Sequence, residues 1–303
     1  MNDPLFRSIE QVLARQLAAE LPAGLYLVAT PIGNLADISL RALAVLANVD
    51  LIYCEDKRHS SKLLNHYGIT GKLQSYHEHN ADRELGSLLA HIEAGSSVAL
   101  ISDAGTPLVS DPGFKLVVEA RQRGLEVIAI PGASAPIAAL VSAGLPTDSF
   151  LFAGFLPPKK AARKKRLREF ARSEATLIFF ESPKRLKASL RDFVDCYGDR
   201  PAAIARELTK LHETVLSGTL LELAEKFEQQ ETIKGEIVIV VGAPDKGAVS
   251  ISDEQLAQEL TLLLQKGSLR DAVQAICAKF DLPRSRVYNL AVTTKKNIDT
   301  KAC

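Results

Sequence analysis

The sequence predicts an α/β fold, arranged as two successive α/β domains followed by a small helical module. Three observations carry that expectation. From residue 24, short apolar runs of strand length alternate with segments of helical spacing. The alternation breaks at Pro131-Gly132, and a second apolar series begins at residue 149. At 303 residues, the chain is also longer than one ordinary domain. The expected division is an N-terminal helical arm at 1–23, α/β domains at 24–145 and 146–245, and a helix-turn-helix-like module at 246–303.

Residues 5–21 place Leu5, Ile9, Val12, Leu13, Leu17 and Leu21 at helical spacing, which predicts an amphipathic helix ending near Pro22. Its polar face is not basic, so packing or dimerisation is expected of it rather than membrane binding. Strands are expected at 24–30, 50–54, 98–102 and 126–130, with helices at 40–46, 85–93 and 113–123 between them. Strands that are apolar along their whole length imply a mainly parallel sheet covered on both faces. Ligands of such sheets sit beyond the carboxyl ends of the strands. A helix of small residues follows at 135–143, and further strands at 149–155, 176–180, 202–206 and 236–241. Residues 242–250 read as a linker. Beyond it come a helix at 269–280, a turn at 281–283 and a second helix capped by Ser285 and running through 290. That pair is either a helix-turn-helix or a bare helical hairpin.

The composition, 47% hydrophobic and 24% charged with a net charge of +1, excludes a disordered chain. Cys54, Cys196, Cys277 and Cys303 lie far apart with no C-x-x-C pair, so neither a disulfide framework nor a zinc site is expected. A reducing, cytoplasmic location fits that usage best. No apolar run reaches membrane-spanning length, and the charged N-terminus lacks the core of a signal peptide.

Chemistry is expected at the strand ends. Thr30-Pro-Ile-Gly-Asn-Leu35 has the place of a nucleotide loop but is neither a dinucleotide fingerprint nor a phosphate loop. Residues 102–113 hold two Asp, two Gly and two Pro, more than a connector needs. Glycine admits a ligand to the backbone and proline stiffens the loop. A structural turn with Asp111 capping the next helix is the plainer alternative. Pro131-Gly-Ala-Ser134 opens the small-residue helix, whose N-terminus offers free N–H groups. Glu55, Asp56, Lys57 and Arg58 follow a strand, where they either face a cleft or begin a solvated helix; Arg206-Glu207 with Lys210 also begins at a strand end. Lys234, Gly235 and Glu236 lead into the last strand. His77 and His79 have the spacing of a metal pair, but nothing completes a ligand set and no metal is expected. The run 157–168 carries Lys159, Lys160, Arg163, Lys164, Lys165, Arg166 and Arg168 without an acid. It reads either as a solvated helix face or as a patch for RNA phosphates.

In order, the segments TPIGNLADIS, EDKRHS, HEHN, SDAGTPLVSDPG, PGAS, GFLP, ARELTK and KGE resemble the ribosomal RNA small-subunit methyltransferase I family, within the tetrapyrrole-methylase-like enzymes. Lys57 stands where that family usually has threonine. The resemblance implies a cleft between two α/β domains, a homodimer, and S-adenosylmethionine as cofactor. It implies 2′-O-methylation of a cytidine ribose in the decoding region of 16S rRNA, within the small ribosomal subunit. Motif matching puts cofactor contacts on Pro31, Ser102, Asp103, Ala104, Gly105, Pro107, Ser110, Ser134 and Ala135. In the second domain it adds Phe155, Leu156, Ala205, Arg206, Gly235, Glu236 and Ile237.

A ribose hydroxyl gains roughly 10²–10⁴-fold from a positioned base. Glu55, Asp56, Glu207 and the His77/His79 pair are candidates, with Arg58, Arg206 and Lys210 as groups that lower the hydroxyl's pKa or clamp phosphates. Asp56 and Arg58 are the first choice of catalytic residues, then Glu207 and Lys210. Rival readings are a methylase of a tetrapyrrole or a protein side chain, and an RNA-binding assembly module without catalysis. A dehydrogenase is disfavoured by the lack of any G-x-G loop.

Overall fold

The computed structural model describes residues 3–111, 113–244, 253–264, 267–280 and 284–301. The chain divides into two compact units, Met1–Pro244 and Asp245–Cys303.

Within the first unit, the N-terminal sheet is wholly parallel. Its strands are β1 (Gly24–Val28), β2 (Leu51–Cys54), β3 (Leu73–Ser75), β4 (Ser97–Ile101) and β5 (Val127–Ile130), in the order β3-β2-β4-β1-β5. Every residue of β4 is buried, because helices cover both faces. Alternate residues serve opposite cores: Tyr26, Ile52 and Ala99 face one, Leu25, Tyr53 and Val98 the other. Ser97 donates to the Asp50 carboxylate through both N and Oγ at 2.8 Å, which ties the starts of β4 and β2 together.

The helices around it are α1 (Pro4–Leu17), α2 (Leu40–Asn48), α3 (Lys57–His66), α4 (Ala81–Glu93), α5 (Phe114–Gln122) and α6 (Ala135–Ser142). Helix α1 stops short of the expected residue 21 and buries none of its residues. Gly113, not Asp111, caps α5. The charged run after β2 does begin a solvated helix, α3, which Asp56 caps by accepting Arg58 N at 2.8 Å.

The second sheet is mixed rather than parallel. Strands β6 (Phe150–Phe155), β7 (Thr176–Glu181), β8 (Pro201–Arg206), β9 (Thr214–Thr219) and β10 (Ile237–Val241) lie in the order β6-β7-β10-β8-β9. Only β6 and β7 pair in parallel; β10 runs antiparallel to both β7 and β8, and β8–β9 is a hairpin. One face packs on α7 (Lys160–Phe170), α8 (Leu186–Tyr197) and α9 (Leu220–Glu228). The opposite face, through Ala203, Ala205, Val238 and Val240, receives Ala139, Leu140 and Ala143 of the α6 region and Ile32 of the β1 loop. Burial of that apolar surface sets the strand ends of the first sheet against the second.

The second unit has α10 (Asp253–Leu264), α11 (Leu269–Phe280) and α12 (Arg284–Lys301), which share a core of Leu256, Leu260, Val273, Ile276, Val287 and Ala291. Ser285 lies inside α12 rather than at its cap, and that helix runs past 290 to Lys301. The expected turn at 281–283, and linker residues 245–250, lie outside the described residues. Among the described residues, no helix is long and apolar enough to cross a membrane.

Candidate active site

The loops beyond the carboxyl ends of β1, β4 and β5 are laced together. Thr30 N donates to Gly105 O at 2.9 Å and Gly105 N to Thr30 O at 3.0 Å. Thr30 Oγ1 donates to Ser102 O at 3.2 Å, and Thr106 Oγ1 to Ala133 O at 3.1 Å. Gly105 has φ +82°, and a Cβ there would lie 3.2 Å from Ile32 Cγ2. Leu108 and Ser110 hold left-handed φ values of 73° and 71° without being glycine, as do Glu207 (53°) and Thr209 (64°) in the β8–β9 turn. Such strain persists only where the surroundings over-determine it.

The β8–β9 turn approaches from the second sheet. Asn34 N donates to Thr209 Oγ1 at 3.1 Å, and a Cβ on Gly33 would lie 2.5 Å from Lys210 Cγ. The Glu207 carboxylate accepts Lys210 Nζ and Glu236 N, each at 2.9 Å, while Lys210 also reaches Glu236 Oε2 at 3.3 Å. Those bonds, the Lys210 one foremost, hold the Glu207 carboxyl below the usual range. Burial pulls the Lys210 ammonium down, but its two carboxylate partners outweigh burial and leave it above its ordinary value.

Two chambers open between these loops and share Ile32 and Ala104. The smaller, about 100 Å³, is walled by Gly105, Ser110, Asp111, Ser134, Ala135 and the rings of Phe155 and Phe180. The larger, about 400 Å³, is bounded by Pro31, Asp103, Lys210 and Glu236 and by His59, Lys62 and His66 of α3. Three carboxylates gather at their edge. Burial, then the charges of Glu55 and Asp103, pushes Asp111 up to about 6, against Ser102, whose hydrogen bond lowers it. Burial, then Asp103, raises Glu55. A negative pocket with a small-residue floor suits a flat ligand carrying positive charge.

The pattern of the tetrapyrrole (corrin/porphyrin) methylases matches residues 24–224. A ribosomal RNA small subunit methyltransferase I from Mesorhizobium japonicum is 55% identical over 237 residues, which cover 78% of this chain and 81% of that one. Its namesake from Synechocystis is 46% identical, covering 88% and 97%. The chain belongs to the ribosomal RNA small subunit methyltransferase I family. Solved structures of the wider fold include a uroporphyrin-III C-methyltransferase from Thermus thermophilus complexed with S-adenyl homocysteine. It aligns with a TM-score of 0.51 at 21% identity, over 72% of this chain and 96% of that one. Diphthine synthase aligns with a TM-score of 0.57 at 18% identity, over 72% and 89%.

The residues expected from the family resemblance divide by position. Ala104, Gly105, Ser110, Ser134, Ala135 and Phe155 line the smaller chamber; Pro31, Asp103, Ala104 and Glu236 line the larger. Ser102 is buried and bonds Ala104 O and Gly105 O, so it supports the loop. Pro107 is buried in the same loop. Leu156 and Ile237 carry their side chains into one core and Ala205 into the other. Gly235 packs against the Glu207 side chain, and Arg206 ends β8.

Of the four residues expected to be catalytic, Lys210 alone lines a chamber, with Glu207 bonded to it. Asp56 serves as the α3 cap, its carboxyl held low by Arg58 N–H and guanidinium, and Arg58 is 91% exposed. The expected phosphate patch is corrected at Arg163. Its guanidinium is buried, 2.6 Å from Asp192 Oδ2, and donates to Pro158 O. Lys164 pairs with Asp195, and Arg166 with Glu169. Lys159, Lys160, Lys165 and Arg168 are exposed. The His77/His79 pair gathers no further ligand; among the described residues no His/Cys/Asp/Glu cluster could hold a metal. Missed in the sequence were His59, Lys62 and His66. Their spacing of three and four marks one helix face, but only once the charged run is read as a helix.

Proposed function

We propose that the chain transfers a methyl group from S-adenosylmethionine to the 2′-oxygen of a cytidine ribose in the decoding region of 16S rRNA, acting on the small ribosomal subunit. We further propose that it works in the cytoplasm as a homodimer, with the four-part domain division expected from its sequence. The observation that carries this reading is the junction of the two chambers at Ile32 and Ala104, with a carboxylate cluster on one side and a held ammonium on the other.

The residues present suit the cofactor. Backbone groups at 104–105, the open N-terminus of α6 at Ser134 and the Ser110 hydroxyl offer polar partners for an adenosine. Phe155 and Phe180, with ring centroids 5.2 Å apart, offer it an apolar wall. Asp111, Asp103 and Glu55 provide negative charge for a sulfonium. At about 100 Å³ the smaller chamber is below the roughly 300 Å³ of small-molecule sites, so the ligand extends into the larger one.

S-adenosylmethionine, when bound, supplies an activated methyl group that needs neither metal nor covalent enzyme intermediate. The chain's task is to align the acceptor and manage its proton. Asp103, in the larger chamber, accepts the hydroxyl proton. Lys210 stays protonated under its two carboxylates and stabilises negative charge on the acceptor oxygen. Glu207, bonded to both Lys210 and the Glu236 backbone, is a positioning residue.

The test incubates the chain with labelled methyl donor and small-subunit particles, then maps alkali-resistant sugar positions. Label on one cytidine ribose is expected. Label on a porphyrin or a protein instead would overturn the reading. Lys210→Met should lower kcat by roughly 10²-fold with cofactor affinity intact.

A further inference from the structure

We infer that the exposed face of α3, through His59, Lys62 and His66, grips the phosphates flanking the target ribose, so that this helix rather than the 159–168 run registers the RNA. The inference rests on the proposed action on RNA and names which surface delivers it.

The face is built by helical spacing. Positions 59, 62, 63 and 66 all line the larger chamber, while Ser60 and Leu64 turn into the protein. Its far end is fixed: Tyr67 donates to Leu35 O, and the His66 ring stands edge-on to Tyr67, 4.7 Å between centroids. From 59 to 66 the helix rises about 10 Å, the reach of two or three phosphates at roughly 3.4 Å each along a stacked strand.

Position separates this surface from its rival. Among the described residues, Lys62, His59 and His66 form no ion pair, whereas the chamber's acids are engaged. Glu236 pairs with Lys210 at 3.3 Å, and Asp103 accepts Asp56 N at 3.2 Å. On α7, Arg163, Lys164 and Arg166 are each matched by an acid within 2.7 Å, and Lys159, Lys160, Lys165 and Arg168 are exposed, but none of them lines either chamber. Lys62, a free ammonium, releases counterions when RNA arrives, and the rings of His59 and His66 offer N–H donors to phosphate oxygens. The edge formed by Lys62 and the two histidines borders the chamber that holds Lys210 and Asp103, so a phosphate seated there leaves its ribose over the reacting groups.

The experiment compares wild type with Lys62→Ala, Lys62→Glu and His66→Ala, all at exposed positions. It measures KM and kcat on small-subunit particles, the salt dependence of particle affinity, and cofactor affinity by calorimetry. Lys62→Glu should raise KM for the particles by roughly tenfold or more, a larger change than in kcat or in cofactor affinity. Lys62→Ala should flatten the slope of log affinity against log salt by roughly 0.7, the value of one single-strand phosphate contact. Unchanged KM and slope on a substrate that is still methylated would overturn the α3 assignment alone. Failure of the wild-type chain to methylate RNA would overturn the functional reading and this inference with it.

Discussion

Asp111 sits in the smaller chamber with its carboxyl pushed up to about 6 from 3.8, burial being the larger cause. Between those two values the folded chain holds a proton that the unfolded chain has lost. Stability therefore falls as pH rises through that window, and the whole penalty is present at pH 7. Asp111→Asn should raise stability at pH 7 by about 1 kcal/mol, after allowing for solvent screening, and flatten the denaturation profile between about pH 4 and 6. The same change should weaken cofactor binding, a trade of stability against affinity readable by calorimetry. The Arg163–Asp192 pair behaves oppositely. Both partners are almost fully buried, so Asp192→Ala strands a cation and should cost about 3–5 kcal/mol in chemical denaturation. Arg163 looked like a phosphate ligand because its neighbours are basic. Its partner lies 29 positions away, beyond any local pattern.

Elements buried on both faces were legible because double-sided burial writes a continuous apolar run; β4 and β10 match their expected spans to within a residue. The edge strands β5 and β6 were legible too, but the edge strands β3 and β9 were not. β9 reads Thr-Val-Leu-Ser-Gly-Thr and β3 only Leu-Gln-Ser, each half-covered and therefore weakly patterned. Of the candidate site, the loop at 102–111 was visible through its glycine, proline and aspartate content. The α3 edge was not, because the charged run allowed a helix start without marking which of its residues would face the chamber. Contact between the β1 loop and the β8–β9 turn depends on Gly33, where an added methyl would run into the Lys210 side chain. Gly33→Ala should displace that ammonium and lower kcat by about tenfold, with cofactor affinity within about twofold.

At the scale of the molecule, the first unit has its own cores and its own candidate site, and the second has a separate three-helix core. A chain ending at Pro244 should therefore unfold in one cooperative transition in differential scanning calorimetry. Saturating S-adenosylmethionine should stabilise it by about 2.7 kcal/mol at a hundredfold excess over Kd. The sequence carries two apolar series, and both lie within the first unit. It did not signal that the second sheet is mixed, because hairpin return and crossover both begin from an apolar strand. Nor did it signal that α6, encoded with the first series, packs on the second sheet, since a stripe of small residues does not name the surface it meets.

Among the described residues strand β10 is the last strand, yet it pairs with β7 on one side and β8 on the other. During synthesis, β7 and β8 emerge with facing edges that nothing can bridge until residue 241 follows. At roughly 5–20 residues per second that wait lasts several seconds, during which unsatisfied backbone and apolar side chains stay open to chaperones or to neighbouring copies. A nascent polypeptide arrested near residue 230 should be captured by trigger-type holdases and cleaved readily by protease, whereas one arrested well past the end of β10 should resist both.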